Sequence, residues 1–119
     1  MLKLRVLNQS RNTVLGDCVG IADTSATRRT GLLKHSRLEP GEGLWIAPSE
    51  AVHTFGMKFP IDVLFLDKKR KVLKIRSDMV RSRMAICWRA HSVLELPSGT
   101  AAAMKTVPGD QLEFEKYEG

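Results

Sequence analysis

Leu2, Leu4 and Val6 alternate with Lys3 and Arg5. In an extended segment this puts the aliphatic side chains on one face and the cations on the other, the pattern of a half-buried strand. Asn8-Gln9-Ser10-Arg11-Asn12 is a turn signal. A second strand is predicted from about Thr13 to Ile21, with Gly16 and Gly20 marking a bulge or bend. Asp23-Thr24-Ser25 supplies side-chain oxygens that cap a helix N-terminus, so the stretch from Ala26 to Leu33 reads as a short helix with Ala26, Thr30 and Leu33 on one side. Glu39-Pro40-Gly41-Glu42-Gly43 breaks the chain ahead of a strand over Leu44-Trp45-Ile46 that ends near Pro48.

The second half is richer in strands. Ile61, Val63 and Phe65 share one face of the next strand, while Asp62, Leu64 and Leu66 share the other. Being apolar on both sides, it is predicted to be buried and central. Asp67-Lys68-Lys69-Arg70-Lys71 reads as a hairpin turn into Val72-Leu73-Lys74-Ile75-Arg76. Val80 to Met84 alternates as a further strand, and Ser92 to Leu96 forms another, ended by Pro97-Ser98-Gly99. An alanine-rich stretch from Thr100 to Lys105 predicts a second short helix. Val107-Pro108-Gly109-Asp110 turns the chain into a closing strand over Gln111 to Glu115. Short strands separated by turns at regular spacing predict one mainly β domain over residues 1–119, a compact antiparallel β sandwich or barrel-like fold with one or two short helices packed on it.

Composition agrees with a single globular core. Hydrophobic residues make up 43% and charged residues 27% of the 119 residues, ordinary values that argue against disorder. The N-terminus lacks the uninterrupted apolar stretch of a secretory signal, and no run is long enough to span a bilayer. Cys18 and Cys87 stand far apart, in no zinc-ribbon or Cys-x-x-Cys spacing. They are read as buried, reduced thiols of a cytoplasmic protein. The net charge of +6 is unevenly spread. Nine basic residues lie between Lys68 and Arg89, with Asp78 the one acid among the stretches that carry them. Such a patch either keeps a solvated hairpin soluble or faces an anionic ligand, nucleic acid or an acidic protein. No RNP, Gly-x-x-Gly or helix-turn-helix pattern accompanies it.

Three blocks of sequence carry a resemblance. They are Arg28-Arg29-Thr30-Gly31-Leu32; the stretch from His53 to Asp67, His-Thr-Phe-Gly-Met-Lys-Phe-Pro-Ile-Asp-Val-Leu-Phe-Leu-Asp; and Val93-Leu94-Glu95-Leu96-Pro97-Ser98-Gly99 with Pro108-Gly109-Asp110. From about Val19 to Phe114 the chain resembles the domain-of-unknown-function family 192, small bacterial and archaeal proteins without an established activity. The resemblance implies a compact, mainly β, sandwich-like fold with one or two helices. It departs in the turn from Asp67 to Lys71, where the family usually has a glycine, and at Leu33, where a methionine is frequent. Family members often carry export signals, which keeps a disulfide between Cys18 and Cys87 as the alternative to free thiols.

Candidate chemistry gathers at a few polar groups on apolar strands. Asp62 begins an apolar strand and Glu95 sits within another, where an unpaired charge is costly. A purely structural reading pairs one of them with Arg28 and pins helix to sheet. A functional reading has them line a concave site, as acid, base or ligand contact, with an arginine holding a carboxylate or phosphate. His53, Phe55 and Met57 would share one strand face if that segment is extended. Met57 is then expected to line a pocket with Trp45, Phe59 and Trp88, unless it simply fills the core. A soft-metal set of His53, Met57 and Cys87 matches no known spacing. Cys87 near His91 lies in no recognisable cysteine-hydrolase context, and no phosphate loop, nucleophile elbow or dinucleotide fingerprint occurs. The leading expectation is a non-catalytic binding domain whose pocket, rimmed by Arg28, His53, Met57, Asp62 and Glu95, holds a small polar or anionic ligand without metal or cofactor. The alternatives are a hydrolase-type enzyme using His53 with Asp62 or Glu95, and nucleic-acid binding through the basic hairpin from 68 to 89. The sequence assigns no oligomeric state.

Overall fold

Alternation at the N-terminus builds β1 (Leu2–Asn8), with Leu4 and Val6 fully buried and Lys3 and Arg5 partly exposed. The structure, a computed structural model, describes residues 1–119. Strand β2 (Thr13–Ala22) pairs with β1 through two register shifts near Gly16, the irregularity that its glycines predict. A Cβ on Gly16 would lie 2.9 Å from Val19 Cγ2 and 3.0 Å from the Gly41 carbonyl oxygen, so a side chain has no room there. Helix α1 (Ser25–Thr30) is opened by Thr24, whose hydroxyl accepts from the Thr27 N–H in a capping box. It stops short of the predicted Leu33. Gly31, at φ +48°, turns the chain out of the helix and donates its N–H to the Thr27 carbonyl.

The remaining elements are β3 (Glu42–Ile46), β4 (Ala51–His53), β5 (Ile61–Leu66), β6 (Val72–Met79), β7 (Met84–Ile86), β8 (Ser92–Pro97), α2 (Thr100–Ala103) and β9 (Leu112–Glu118). The alternating stretch from Val80 is not a strand until Met84. Buried Thr54 draws it into a turn by donating to the Val80 carbonyl (2.6 Å) and accepting from the Arg83 N–H (2.9 Å).

Seven strands form one sheet in the order β6-β5-β8-β3-β2-β1-β9, and β4 pairs with β7 in a separate ribbon. The domain is thus mainly β with two short helices. The sheet is mixed because β2 and β3 run parallel, from Cys18 opposite Glu42 to Ala22 opposite Ile46. A parallel pair needs a crossover, and the segment holding α1 supplies it. The outer strands β6 and β9 approach each other at one corner, where Lys71 bridges Gln111, but the sheet does not close into a barrel. No helix is long and apolar enough to cross a membrane.

Two apolar clusters lie on opposite faces of β5 and β8. Leu64, Leu66, Leu94 and Leu96 belong to the inner one, with Leu4, Val6 and Ala101. Ile61, Val63, Phe65 and Val93 belong to the outer one, with Leu32, Val52, Met57 and Ala85. All six residues of β5 are buried although the strand is second from the sheet edge. Its two-sided apolar character comes from the β4–β7 ribbon and the segment after α1 covering the outer face, not from a central position. Cys18 is exposed and Cys87 half-buried, both as free thiols, which corrects the expectation of two buried ones. Cys18 follows exposed Asp17 in a part of β2 whose alternation is broken by the bulge.

Candidate functional site

Glu95 occupies the middle of β8, opposite Leu44 of β3 and Val63 of β5. Cross-strand partners share a face, so its carboxyl points to the outer side with Val63. Gly43 allows the close backbone approach beneath it, since a Cβ there would come within 2.7 Å of the Glu95 carbonyl oxygen. Only 5% of Glu95 is exposed, and its carboxylate makes no ion pair or hydrogen bond within the protein. Burial raises its pKa from the ordinary 4.5 to about 7.

That carboxyl contributes to a cavity of about 610 Å³ between α1, the segment from Ile46 to His53, Met57 and β8. Four of the five residues expected to share a site line it: Arg28, His53, Met57 and Glu95. Arg28 is half-buried, and its guanidinium donates to the carbonyls of Thr24 (3.3 Å) and Pro48 (3.1 Å). It therefore ties α1 to the edge of the cavity and forms no ion pair with Asp62 or Glu95, contrary to the pairing expected for it. Arg29, next to it, is exposed at the cavity wall. His53 ends β4 with an exposed ring stacked on Phe55 at 5.5 Å. The two do not continue into a strand with Met57, because Gly56 takes φ +80° and Met57 N–H closes a turn on the Thr54 carbonyl.

Asp62 lies elsewhere. It sits opposite Leu96, one residue out of step with Glu95, and so faces the inner side of the sheet. There it is fully buried, with one oxygen accepting from Asp78 N–H (2.8 Å) and the other from Ala101 N–H (2.9 Å). Its partners are backbone donors rather than the expected arginine: it caps the first turn of α2 and fixes the irregular end of β6. Trp45 also faces inward, edge-on to Phe114 at 5.2 Å, and Trp88 is 76% exposed, so neither joins Met57 around the cavity. Phe59 packs beside Met57 in the outer cluster. Residues not anticipated at the cavity include Arg29, Leu32, Leu33 and Val52. The first three belong to, or directly follow, the Arg28 to Leu32 block, which was the available signal.

A larger groove, about 950 Å³, lies between the turn after β5 and the loop before β8, and is walled mainly by polar and basic residues. The basic run from Lys68 to Lys71 builds one side. Arg70 departs from its neighbours: at φ +65° it takes a conformation suited to glycine, and its guanidinium folds inward over Phe114 (4.6 Å) and Trp45 (5.2 Å). This accounts for a turn that lacks the family's usual glycine.

A curled mixed sheet with an unpartnered carboxyl at a cavity on its outer face defines a small β domain with one chemically distinctive recess. The chain belongs to the DUF192 family, described as an uncharacterized ACR, whose model matches residues 6–114. It is 31% identical over 128 residues to a UPF0127 protein from Thermococcus sibiricus, covering 95% of this chain and 76% of the relative. A crystal structure of a protein of unknown function from Novosphingobium aromaticivorans shares the fold with a TM-score of 0.80 and 25% identity, over 92% of this chain and 82% of that one. Another, from Sinorhizobium meliloti, carries the provisional name of a transcription regulator. It has a TM-score of 0.83 over 96% of this chain and 94% of its own, and at 21% identity it shows the fold alone. The three blocks that carry the family resemblance, distant in sequence, each contribute to the Glu95 cavity.

Proposed function

We propose that the domain binds a small polar ligand in the Glu95 cavity, with an anionic group of the ligand held near Arg28 and Arg29 and a hydroxyl or amine donor reaching Glu95. The observation that carries this reading is the Glu95 carboxyl, which belongs to a residue only 5% exposed, pairs with no group of the protein and keeps its oxygens accessible at the cavity. Burial disfavours the charge on this carboxyl, and a donor on the ligand would offset that penalty on binding. Arg28 retains donor capacity because a guanidinium has five N–H groups and its carbonyl contacts occupy only part of them. Asp62 has no part in this site, since it faces the other side of the sheet.

Thermal-shift screening followed by calorimetry, using a panel of hydroxy acids, amino acids and sugar phosphates, tests the proposal. A ligand of this class should stabilise the wild-type protein and lose affinity in Glu95→Gln and Arg29→Ala. The reading fails if no compound binds, or if binding is indifferent to both substitutions. A second reading, catalysis, is favoured by the pKa of about 7, which suits a general acid or base at neutral pH. In that case Glu95 would move the proton and His53, at the rim, would assist. Hydrolytic turnover unaffected by Glu95→Gln and His53→Ala would rule out this assignment.

A further inference from the structure

We propose that the basic groove is a binding site for single-stranded nucleic acid, with Lys68, Lys69, Lys71 and Arg89 following the phosphates and Trp88 offering a platform on which a base stacks. All four cations are exposed, and none is within ion-pair distance of a carboxylate. Asp67 and Glu50 also line the groove. One oxygen of Asp67 is engaged by the N–H groups of Lys69 and Lys71 at 2.9 Å each, so this acid serves to shape the turn.

The lysines are presented by a rigid support. Arg70 N–H closes the turn on the Asp67 carbonyl (3.0 Å), Gln111 donates its side-chain amide to the Lys69 carbonyl, and the inward Arg70 anchors the turn over two rings. Phosphate contacts made by such a turn need little further ordering. The opposite wall is a second tight turn, closed by Ala90 N–H on the Cys87 carbonyl (2.9 Å), with Trp88 and Arg89 at its corners. Hydrogen bonds from Cys87 N–H to Glu50 and from His91 N–H to Leu66, both 2.8 Å, hold that turn to the body of the domain.

Trp88 does nothing for the core. At 76% exposure it leaves its ring in water, one residue before Arg89 of the groove wall. A cationic groove with an adjoining exposed ring is the combination that binds unpaired strands, because every base has a face to stack. Duplex reading is not favoured: the longest helix, α1, has six residues and none of them lines the groove.

Fluorescence polarisation of the full chain with a labelled oligothymidylate of about 12 nucleotides tests the assignment. A duplex of equal length and inorganic polyphosphate serve as competitors. Binding should be tighter to the single strand than to either competitor and should fall with salt. Combining Lys68→Ala, Lys69→Ala and Lys71→Ala should flatten the slope of log affinity against log salt by about 2. Trp88→Ala should weaken binding about 5- to 100-fold with the slope unchanged, and should remove the tryptophan quenching that accompanies binding. These side chains are exposed, so melting curves of the variants should match the wild type. Absence of binding at low salt overturns the proposal. So does equal affinity for polyphosphate with no effect of Trp88→Ala, which would reveal a general polyanion surface. Glu95→Gln should leave oligonucleotide binding unchanged, which keeps this test separate from that of the small-ligand cavity.

Discussion

Replacing Glu95 with glutamine should make the protein more stable at alkaline pH and leave it nearly unchanged in acid. Burial carries the Glu95 carboxyl from an ordinary 4.5 to about 7. Between those values the folded chain keeps a proton that the unfolded chain has released. Its stability is therefore undiminished below pH 4.5, declines as pH rises, and reaches its full loss above about pH 7. At about 1.4 kcal/mol per pH unit, the loss amounts to about 3 kcal/mol. Glutamine preserves the shape and cannot ionise, so Glu95→Gln should recover most of this, a rise of roughly 10 °C in Tm for a domain of this size. Urea unfolding of both proteins at about pH 5 and about pH 9 measures the effect directly. A difference between the two proteins that stays constant across that range would refute the argument, because it would mean that Glu95 does not titrate between those limits. A saturating ligand that donates to the carboxylate should shrink the same difference by stabilising the ionised form.

Two further substitutions probe the framework around the site. Asp62→Asn leaves one carbonyl oxygen where two backbone N–H groups are now satisfied, and should cost about 2 kcal/mol or more in denaturant unfolding. It should leave binding in the Glu95 cavity intact, and unchanged stability would contradict the capping role. Gly43→Ala places a methyl 2.7 Å from the Glu95 carbonyl oxygen and 3.0 Å from Leu96 Cδ2. It should destabilise the protein by about 1–3 kcal/mol, and a melting curve equal to wild type would show that β3 and β8 can separate without penalty.

Much of the fold was legible because strand periodicity is local. The alternation at Leu4 and Val6 and the apolar runs at Ile61 to Leu66 and Ser92 to Leu96 each correspond to an observed strand. The capping residues before α1 likewise depend on neighbouring residues alone, whereas the turn at Val107 to Asp110 and the irregularity near Gly16, although signalled locally, are also held by Asn8, Arg11 and Val72 and by the Gly41 carbonyl. The turn from Val80 to Arg83 was not legible, because it depends on a hydrogen bond to Thr54, far away in the chain. The parallel pairing of β2 with β3 also lay beyond local pattern, since it depends on where the crossover returns the chain.

The candidate site divides in the same way. From the sequence alone, Asp62 and Glu95 are equivalent, each a carboxylate on an apolar strand with alternating faces. Which face of one strand matches which face of the next is decided by register. Here Glu95 falls opposite Val63 rather than Asp62. That one-residue offset sends Asp62 inward to two backbone donors and leaves Glu95 outward at a cavity with Arg28, His53 and Met57. The residue types and their strands are written in the chain, but their separation into a structural acid and an unpartnered one exists only once β5 and β8 have paired, because a side-chain period of two turns a one-residue shift into a change of face.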